Sequence, residues 1–224
     1  MIRRRAIVTT LGTLALAAGG SLAWAAGPLA KVGRWQAGQH YNFVENPQPP
    51  SVAKGKVEVI EVFWYGCAHC YALDPVLEDW KRKKPKHVEF VRVPVIWGPV
   101  HRQHAKLYYT MLALGLGDLH PQVFDAIHKE GMPLSDRDEV RARSLHYGFL
   151  STHGVSAEQF DAAYDSMTVA TNMERARELT RNFNVGSVPL IFINGKYSTG
   201  VSEAGGPQPL VALISDLAAS EKKR

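Results

Sequence analysis

Apolar and polar residues follow two different rhythms along this chain, and each change of rhythm marks an element. Val57 to Phe63 (V-E-V-I-E-V-F) is rich in β-branched residues and reads as a central strand. Gly66 punctuates it. From Cys67 to Lys84 the spacing turns helical, with Tyr71, Leu73, Val76, Leu77 and Trp80 on one face. His87 to Ile96 reads as a second strand, which completes a strand–helix–strand crossover of the kind that builds a parallel sheet. From about Gln103 to Thr180 the pattern stays helical. Leu107, Tyr108, Met111, Leu112 and Leu114 mark one helix, and Phe124, Ile127 and His128 a second. A third spans about Asp136 to Phe149, a fourth follows Ser156 as N-cap, and a fifth runs from about Asn172 to Asn184. Leu190 to Ile193 and Lys196 to Ser198 flank Asn194-Gly195, the signature of a β-hairpin. Gln208 to Glu221 closes the chain as an amphipathic helix, and His40 to Val44 is a candidate edge strand.

Composition changes this picture at one end. The 224 residues are 46% hydrophobic, enough for one domain or one domain carrying an insertion, and no repeat period is visible. The first residues are different. Arg3, Arg4 and Arg5 precede an apolar stretch from Ala6 to Leu22, broken by Gly19-Gly20, and Ala23-Trp24-Ala25 follows. This is the anatomy of a secretory signal peptide cleaved near Ala25. The run is short and interrupted for a membrane anchor. It holds three arginines and no acids, so the +5 of the full chain falls to +2 on its removal. The basic balance is thus partly a targeting feature and no signature of nucleic-acid binding. The remaining basic run, K-R-K-K-P-K at 81 to 86, reads as the solvated end of a helix stopped by Pro85 rather than as a docking patch.

Only two cysteines exist, Cys67 and Cys70, in the stretch W-Y-G-C-A-H-C-Y. A bridge closing so short a loop removes little unfolded-chain entropy, so the pair points to chemistry rather than to stapling. Cys67 opens a helix, where unpaired backbone N–H groups stabilise a thiolate, and His69 adds to this. Cys67 is therefore the candidate attacking and attacked sulfur, and Cys70 the resolving one. A fall of the Cys67 pKa to about 4.5 would favour the dithiol by about 3.4 kcal/mol at pH 7, on the order of 75 mV toward oxidising. Half of a metal site is the alternative for C-x-x-C, but no second cysteine pair supplies more ligands. His101 and His104 read as surface groups at a helix start. Glu61 stands out inside V-I-E-V-F. It is either an exposed alternate position, which fits Glu58 better, or a buried acid able to exchange protons with Cys70 and to pair with Arg92. Pro189, in G-S-V-P-L-I-F-I-N-G-K-Y, precedes a strand and favours an edge or a turn.

W-Y-G-C-A-H-C-Y, then G-S-V-P-L-I-F-I-N-G-K-Y, with a helical block between them, resembles the DsbA family of periplasmic disulfide oxidoreductases over about residues 30 to 220. The resemblance implies an α/β thioredoxin fold with an inserted all-helical domain. It implies residues 26–100 and 171–224 as the two parts of that fold and 101–170 as the insertion. It implies a cis proline at Pro189 beside the Cys67–Cys70 disulfide, and a substrate groove around Val188, Pro189 and Ala68. It maps the family's buried acid onto Glu61, with Arg92 near a family lysine. Ala68 departs from the proline common after the first cysteine, which leaves the strength of oxidation open.

Under this reading the protein is an exported, monomeric thiol oxidase that needs no bound cofactor beyond the Cys67–Cys70 disulfide. Reduced exported proteins are its substrates, and a DsbB-type membrane quinone reductase reoxidises it. An isomerase or reductase on the same fold is the alternative, though only about 30 residues precede the first core strand, too few for an N-terminal dimerisation domain. Other classes are a metal-binding chaperone using Cys67, His69 and Cys70, and a pure binding module.

Overall fold

The computed structural model describes residues 30–222, so the expected signal peptide and its cleavage near Ala25 lie outside the described residues. Strands β1 (Lys31–Val32) and β2 (Trp35–Gln36) form a small antiparallel ribbon. Then follow β3 (Asn42–Phe43), β4 (Val57–Phe63), α1 (Ala68–Lys83) and β5 (Val88–Pro94). Five helices come next: α2 (Pro99–Ala113), α3 (His120–His128), α4 (Glu139–Ser151), α5 (Ala157–Tyr164) and α6 (Met167–Asn182). The hairpin of β6 (Leu190–Ile193) and β7 (Tyr197–Thr199), the single turn α7 (Val201–Ala204) and the long α8 (Pro207–Lys222) complete the chain. Among the described residues no helix is long and apolar enough to cross a membrane.

The main sheet has the order β3-β7-β6-β4-β5. The crossover through α1 makes β4 and β5 parallel, while β6 and β7 pair antiparallel. Both faces of this sheet are covered. Val57 and Val59 face α1 and α8, with Leu73, Leu77, Leu213 and Leu217 in the same cluster. Ile60 and Val62 face the helical block, with Leu107, Met111 and Phe124. A strand covered on both faces is apolar at nearly every position. This overturns the expectation that Glu58 is exposed: it is 3% exposed, and its carboxylate accepts hydrogen bonds from the Ser51 hydroxyl and from Ser51 N–H at 3.3 Å.

Caps explain where two helices start earlier than periodicity suggests. Ser166 accepts from Val169 N–H and begins α6 at Met167, ahead of the expected Asn172. Pro99 occupies the first turn of α2, where its missing N–H costs nothing. Ser156 caps α5 in a reciprocal box with Gln159, as its position suggested. The basic run ends α1: Lys81 pairs with Glu78, and Arg82 and Lys83 with Asp79, all beside the helix C-terminus.

Asn194 and Gly195 both adopt left-handed backbone angles (φ 51° and 65°), which the tight hairpin turn needs. A side chain at Gly195 would also run into the backbone carbonyl of Gln48. Gly195→Ala is therefore expected to lower stability by about 2 kcal/mol or more. A urea unfolding curve with an unchanged midpoint would show that Gln48 does not pack on this turn.

Candidate active site

The end of β4 delivers Trp64, Tyr65 and Gly66 to the mouth of α1. A Cβ at Gly66 would fall on the Trp64 indole, so glycine is what lets that ring lie over the loop. Cys67 is the N-cap of α1, in extended conformation, and its sulfur accepts the backbone N–H of Cys70 at 3.3 Å. The sulfur thus takes the part that a serine or aspartate oxygen usually plays at a helix start. Pro75 lies inside α1, yet the helix continues, held by the buried Leu73, Leu77 and Trp80.

Cys67 and Cys70 are unbridged thiols here, and they differ sharply in surroundings. Cys67 is partly exposed, whereas Cys70 is fully buried. The Cys67 pKa is lowered to about 6, first by the hydrogen bond from the Cys70 thiol, then by backbone N–H groups of Cys70 and His69 and by the charge of His69, against a burial penalty. His69 is exposed and its charge is the smallest of these contributions. Cys70 is pushed far up by its bond to Cys67, by burial and by the charges of Cys67 and Glu61. Thiolate character is therefore placed on the accessible sulfur.

The second sequence motif arrives from the start of β6. The Val188–Pro189 peptide bond is cis, and the Val188 carbonyl lies 3.5 Å from the Cys67 sulfur, within reach of its thiol hydrogen. His69, Leu73, Val188, Pro189 and Glu203 line a groove of about 330 Å³ beside this contact. Ala68 is exposed next to Cys67 and does not line that groove, whereas Ala72 does. Cys67, Cys70, His69, Val188 and Pro189, more than 110 positions apart in sequence, are thus gathered at one place.

The thioredoxin family profile matches residues 52–211. The thiol:disulfide interchange protein DsbA of Pseudomonas aeruginosa is 36% identical over 197 residues, which are 88% of this chain and 90% of that protein. The DsbA of Azotobacter vinelandii is 37% identical over 182 residues, covering 80% and 82% of the two chains. The crystal structure of Pseudomonas aeruginosa DsbA superimposes with a TM-score of 0.76 at 36% identity, covering 84% of this chain and 95% of that one. The chain belongs to the DsbA family. Its α/β architecture, with helices α2 to α6 inserted between β5 and β6, is a thioredoxin fold with a helical insertion.

Beneath the cysteines of this DsbA-family chain lies a buried ionic cluster. Arg92 is its centre: Nε donates to Glu61 Oε2 at 2.7 Å, Nη2 to Asp74 Oδ1 at 2.8 Å and Nη1 to Glu78 Oε1 at 2.6 Å. The Glu61–Arg92 pair, one of the readings the sequence left open, is present, with the two residues directly opposite each other on β4 and β5. Glu61 is fully buried and its other oxygen, Oε1, has no partner among the described residues. Burial raises its pKa despite Arg92, and the charges of Asp74 and Glu78 add to the rise. Three acids share one arginine, so Glu61 holds a proton more readily than an exposed glutamate does.

Four histidines of the helical block grip the active-site loop, and sequence reasoning missed their role. His101 lies over Trp64 at 4.4 Å, and His104 stacks beyond it at 6.1 Å. His120 Nδ1 bonds the Tyr65 hydroxyl at 2.8 Å, and its Nε2 lies 3.4 Å from Asp74. His128 Nε2 donates to the Tyr65 carbonyl at 2.8 Å and its ring stacks on Tyr71 at 4.7 Å. His104 is thus no surface group, as the sequence suggested; it is buried, and its Nε2 bonds the Pro133 carbonyl. Burial lowers His104 and His120 to about 4, so both are neutral at neutral pH. The available signal was the aromatic residue on either side of the cysteine pair, which needs a partner. Among the described residues no group of three or more His, Cys, Asp and Glu side chains is arranged to hold a metal ion.

Two outcomes are expected. Thiolate absorbance of the reduced protein should titrate with a midpoint near pH 6, from Cys67 alone. A thiol whose folded pKa lies below its unfolded value of about 8.5 stabilises the folded dithiol fully above that value, and this is lost as pH falls through about 6. The melting temperature of the reduced protein, measured against its Cys67→Ser variant, should therefore rise from pH 6 upward and not below. Second, Arg92→Met leaves Glu61 and Asp74 buried without their cation and should cost about 3–5 kcal/mol in urea unfolding. A loss under 1 kcal/mol would mean that the Arg92 ion pairs do not hold this part of the core together.

Proposed function

We propose that this protein is a periplasmic thiol oxidase that donates the Cys67–Cys70 disulfide to reduced exported proteins. Membership of the DsbA family makes it a thiol:disulfide oxidoreductase. The observation that carries the direction of transfer is the inequality of the two sulfurs: a partly exposed, stabilised Cys67 above a buried Cys70 held as a thiol.

In the proposed reaction a client thiolate attacks the Cys67 sulfur. The client–Cys67 bond forms, the Cys67–Cys70 bond breaks, and Cys70 leaves with the electron pair. Burial makes that thiolate take up a proton, and Glu61 is the acid positioned to supply it. The client's second thiolate then attacks its own sulfur in the mixed disulfide. Cys67 departs as a thiolate into the N–H groups at the head of α1, and the client keeps the new disulfide. The groove beside Val188 and Pro189 holds the client segment, as the family resemblance implies. The protein acts as a monomer, and a DsbB-type quinone-linked membrane partner restores the disulfide. The basic start, apolar stretch and Ala23-Trp24-Ala25 of the first residues support a signal peptide and export to the periplasm.

A Cys67 pKa of about 6 favours the dithiol by at most about 1.4 kcal/mol at pH 7, or about 30 mV toward oxidising. Solvent screening of the half-exposed sulfur makes this an upper figure. It is smaller than the 75 mV drawn from a pKa of about 4.5. Equilibration with glutathione buffers tests the proposal. The pair should be reduced in all but strongly oxidising mixtures, and its midpoint should shift further toward oxidising as pH rises from 6 to 8. A pair that stays oxidised in predominantly reduced glutathione would make the protein a reductase.

A further inference from the structure

The groove beside Cys67 has one acidic side chain in its lining, that of Glu203. Its walls are the apolar Ala72, Leu73, Val188, Pro189 and Leu190, with small polar groups from Ser187 and Ser202; His69 and Glu203 also line it. Glu203 is exposed and has no hydrogen bond or ion pair among the described residues. Some exposed acids elsewhere are answered, Asp79 by Lys83, Asp125 by Lys129, and Asp161 and Asp165 by Arg143, whereas Asp118, Glu130 and Glu178 have no ion pair among the described residues; what sets Glu203 apart is that it lines the groove.

A glycine leaves room for the Glu203 carboxylate. A Cβ at Gly200 would lie 2.8 Å from Glu203 Oε2 and 3.8 Å from the Pro189 carbonyl oxygen. The acid therefore folds back over Gly200 into the space next to the proline loop. Pro189 follows Val188, whose carbonyl touches the Cys67 sulfur. An acid here stands along the path of a client segment whose cysteine is joined to Cys67.

We propose that Glu203 gives the groove a charge preference, for client segments with a lysine or arginine within two residues of the reactive cysteine. The inference rests on the client-oxidation reading above. An unpaired carboxylate facing an apolar trough meets a cationic side chain with attraction and an acidic one with repulsion, and arginine can engage both of its oxygens. Because Glu203 is exposed, the effect is modest, about threefold in rate for one such pair.

The test uses the oxidised protein and two dithiol peptides that are identical except for arginine or glutamate beside the first cysteine. Second-order rate constants for peptide oxidation should favour the arginine peptide about threefold at low salt. The ratio should fall to one in Glu203→Gln and invert in Glu203→Lys. Raising salt from about 0.01 M to about 1 M shortens the screening length from about 30 Å to about 3 Å and should erase the ratio in the unaltered protein. Retention of the Cys67 thiolate midpoint in both variants shows that the active-site helix is intact. A ratio of one in the unaltered protein, or one that survives Glu203→Gln, overturns the proposal while leaving thiol oxidation in place. Failure to oxidise either peptide sinks the oxidase reading, and this inference with it.

Discussion

Everything in this molecule is arranged around one contact, the backbone N–H of Cys70 pointing at the sulfur of Cys67. That contact is available only because a strand ends where a helix begins. β4 carries the chain into the middle of the sheet, and α1 must start within a few residues to return over it. The first N–H groups of a helix have no acceptors within the helix. Here the acceptor is a sulfur that changes charge during reaction, so the cap is strong when Cys67 is a thiolate and weak when it is bonded to another sulfur. The stability of the helix start is thereby tied to the redox state of the pair.

A charged cap needs a firm floor. The sheet supplies it by being covered on both faces, which leaves Glu61, Arg92 and Asp74 without water. Such burial is costly unless every group is answered. Arg92 reaches three carboxylates with three different nitrogens, a geometry that a lysine's single nitrogen would not reproduce. The surplus of acid over base is left on Glu61, whose second oxygen lacks a partner. A proton is the smallest group that relieves that surplus. The same surplus bears on Cys70, because the Glu61 charge helps to keep its thiol protonated. The floor and the resolving sulfur thus compete for protons rather than acting independently.

The sequence made the local parts of this arrangement legible and left the long-range parts hidden. The β4–α1–β5 crossover was readable because apolar spacing changes abruptly at Gly66, and the hairpin because Asn194-Gly195 has few other uses. Glu61 was conspicuous as an acid among β-branched residues, and Arg92 on the neighbouring strand was its candidate partner, which the observed register sets directly opposite it. Glu58 was misjudged because alternation carries no information in a strand buried on both faces. His104 was misjudged because its burial depends on the loop at Pro133, about a helix and a half further along the chain. The cap at Ser166, ahead of the apolar Met167, Val169 and Ala170, was readable in principle and was missed. The seam of His101, His104, His120 and His128 needs the helical block folded back onto the loop before any of its contacts exist.

That seam explains what an inserted helical block does for a small redox site. Trp64, Tyr65 and Tyr71 flank the cysteines at positions that α1 and β4 alone would leave loosely packed. Each is engaged by a histidine from α2 or α3. A neutral imidazole suits the place. It is flat enough to stack on an aromatic ring, and it has one nitrogen to donate and one to accept. His120 bonds Tyr65 through Nδ1, while its Nε2 stands 3.4 Å from Asp74 without a hydrogen bond, so the ring lies between the loop in front of Cys67 and the ionic cluster. A protonated imidazole at that point would stand near Arg92, whose charge already disfavours it. His104 and His120, both lowered to about 4 by burial, therefore stay neutral beside the active-site loop while Cys67 gains and loses its charge. The electrostatics of the pair are left to the helix end, the proline loop and Glu61.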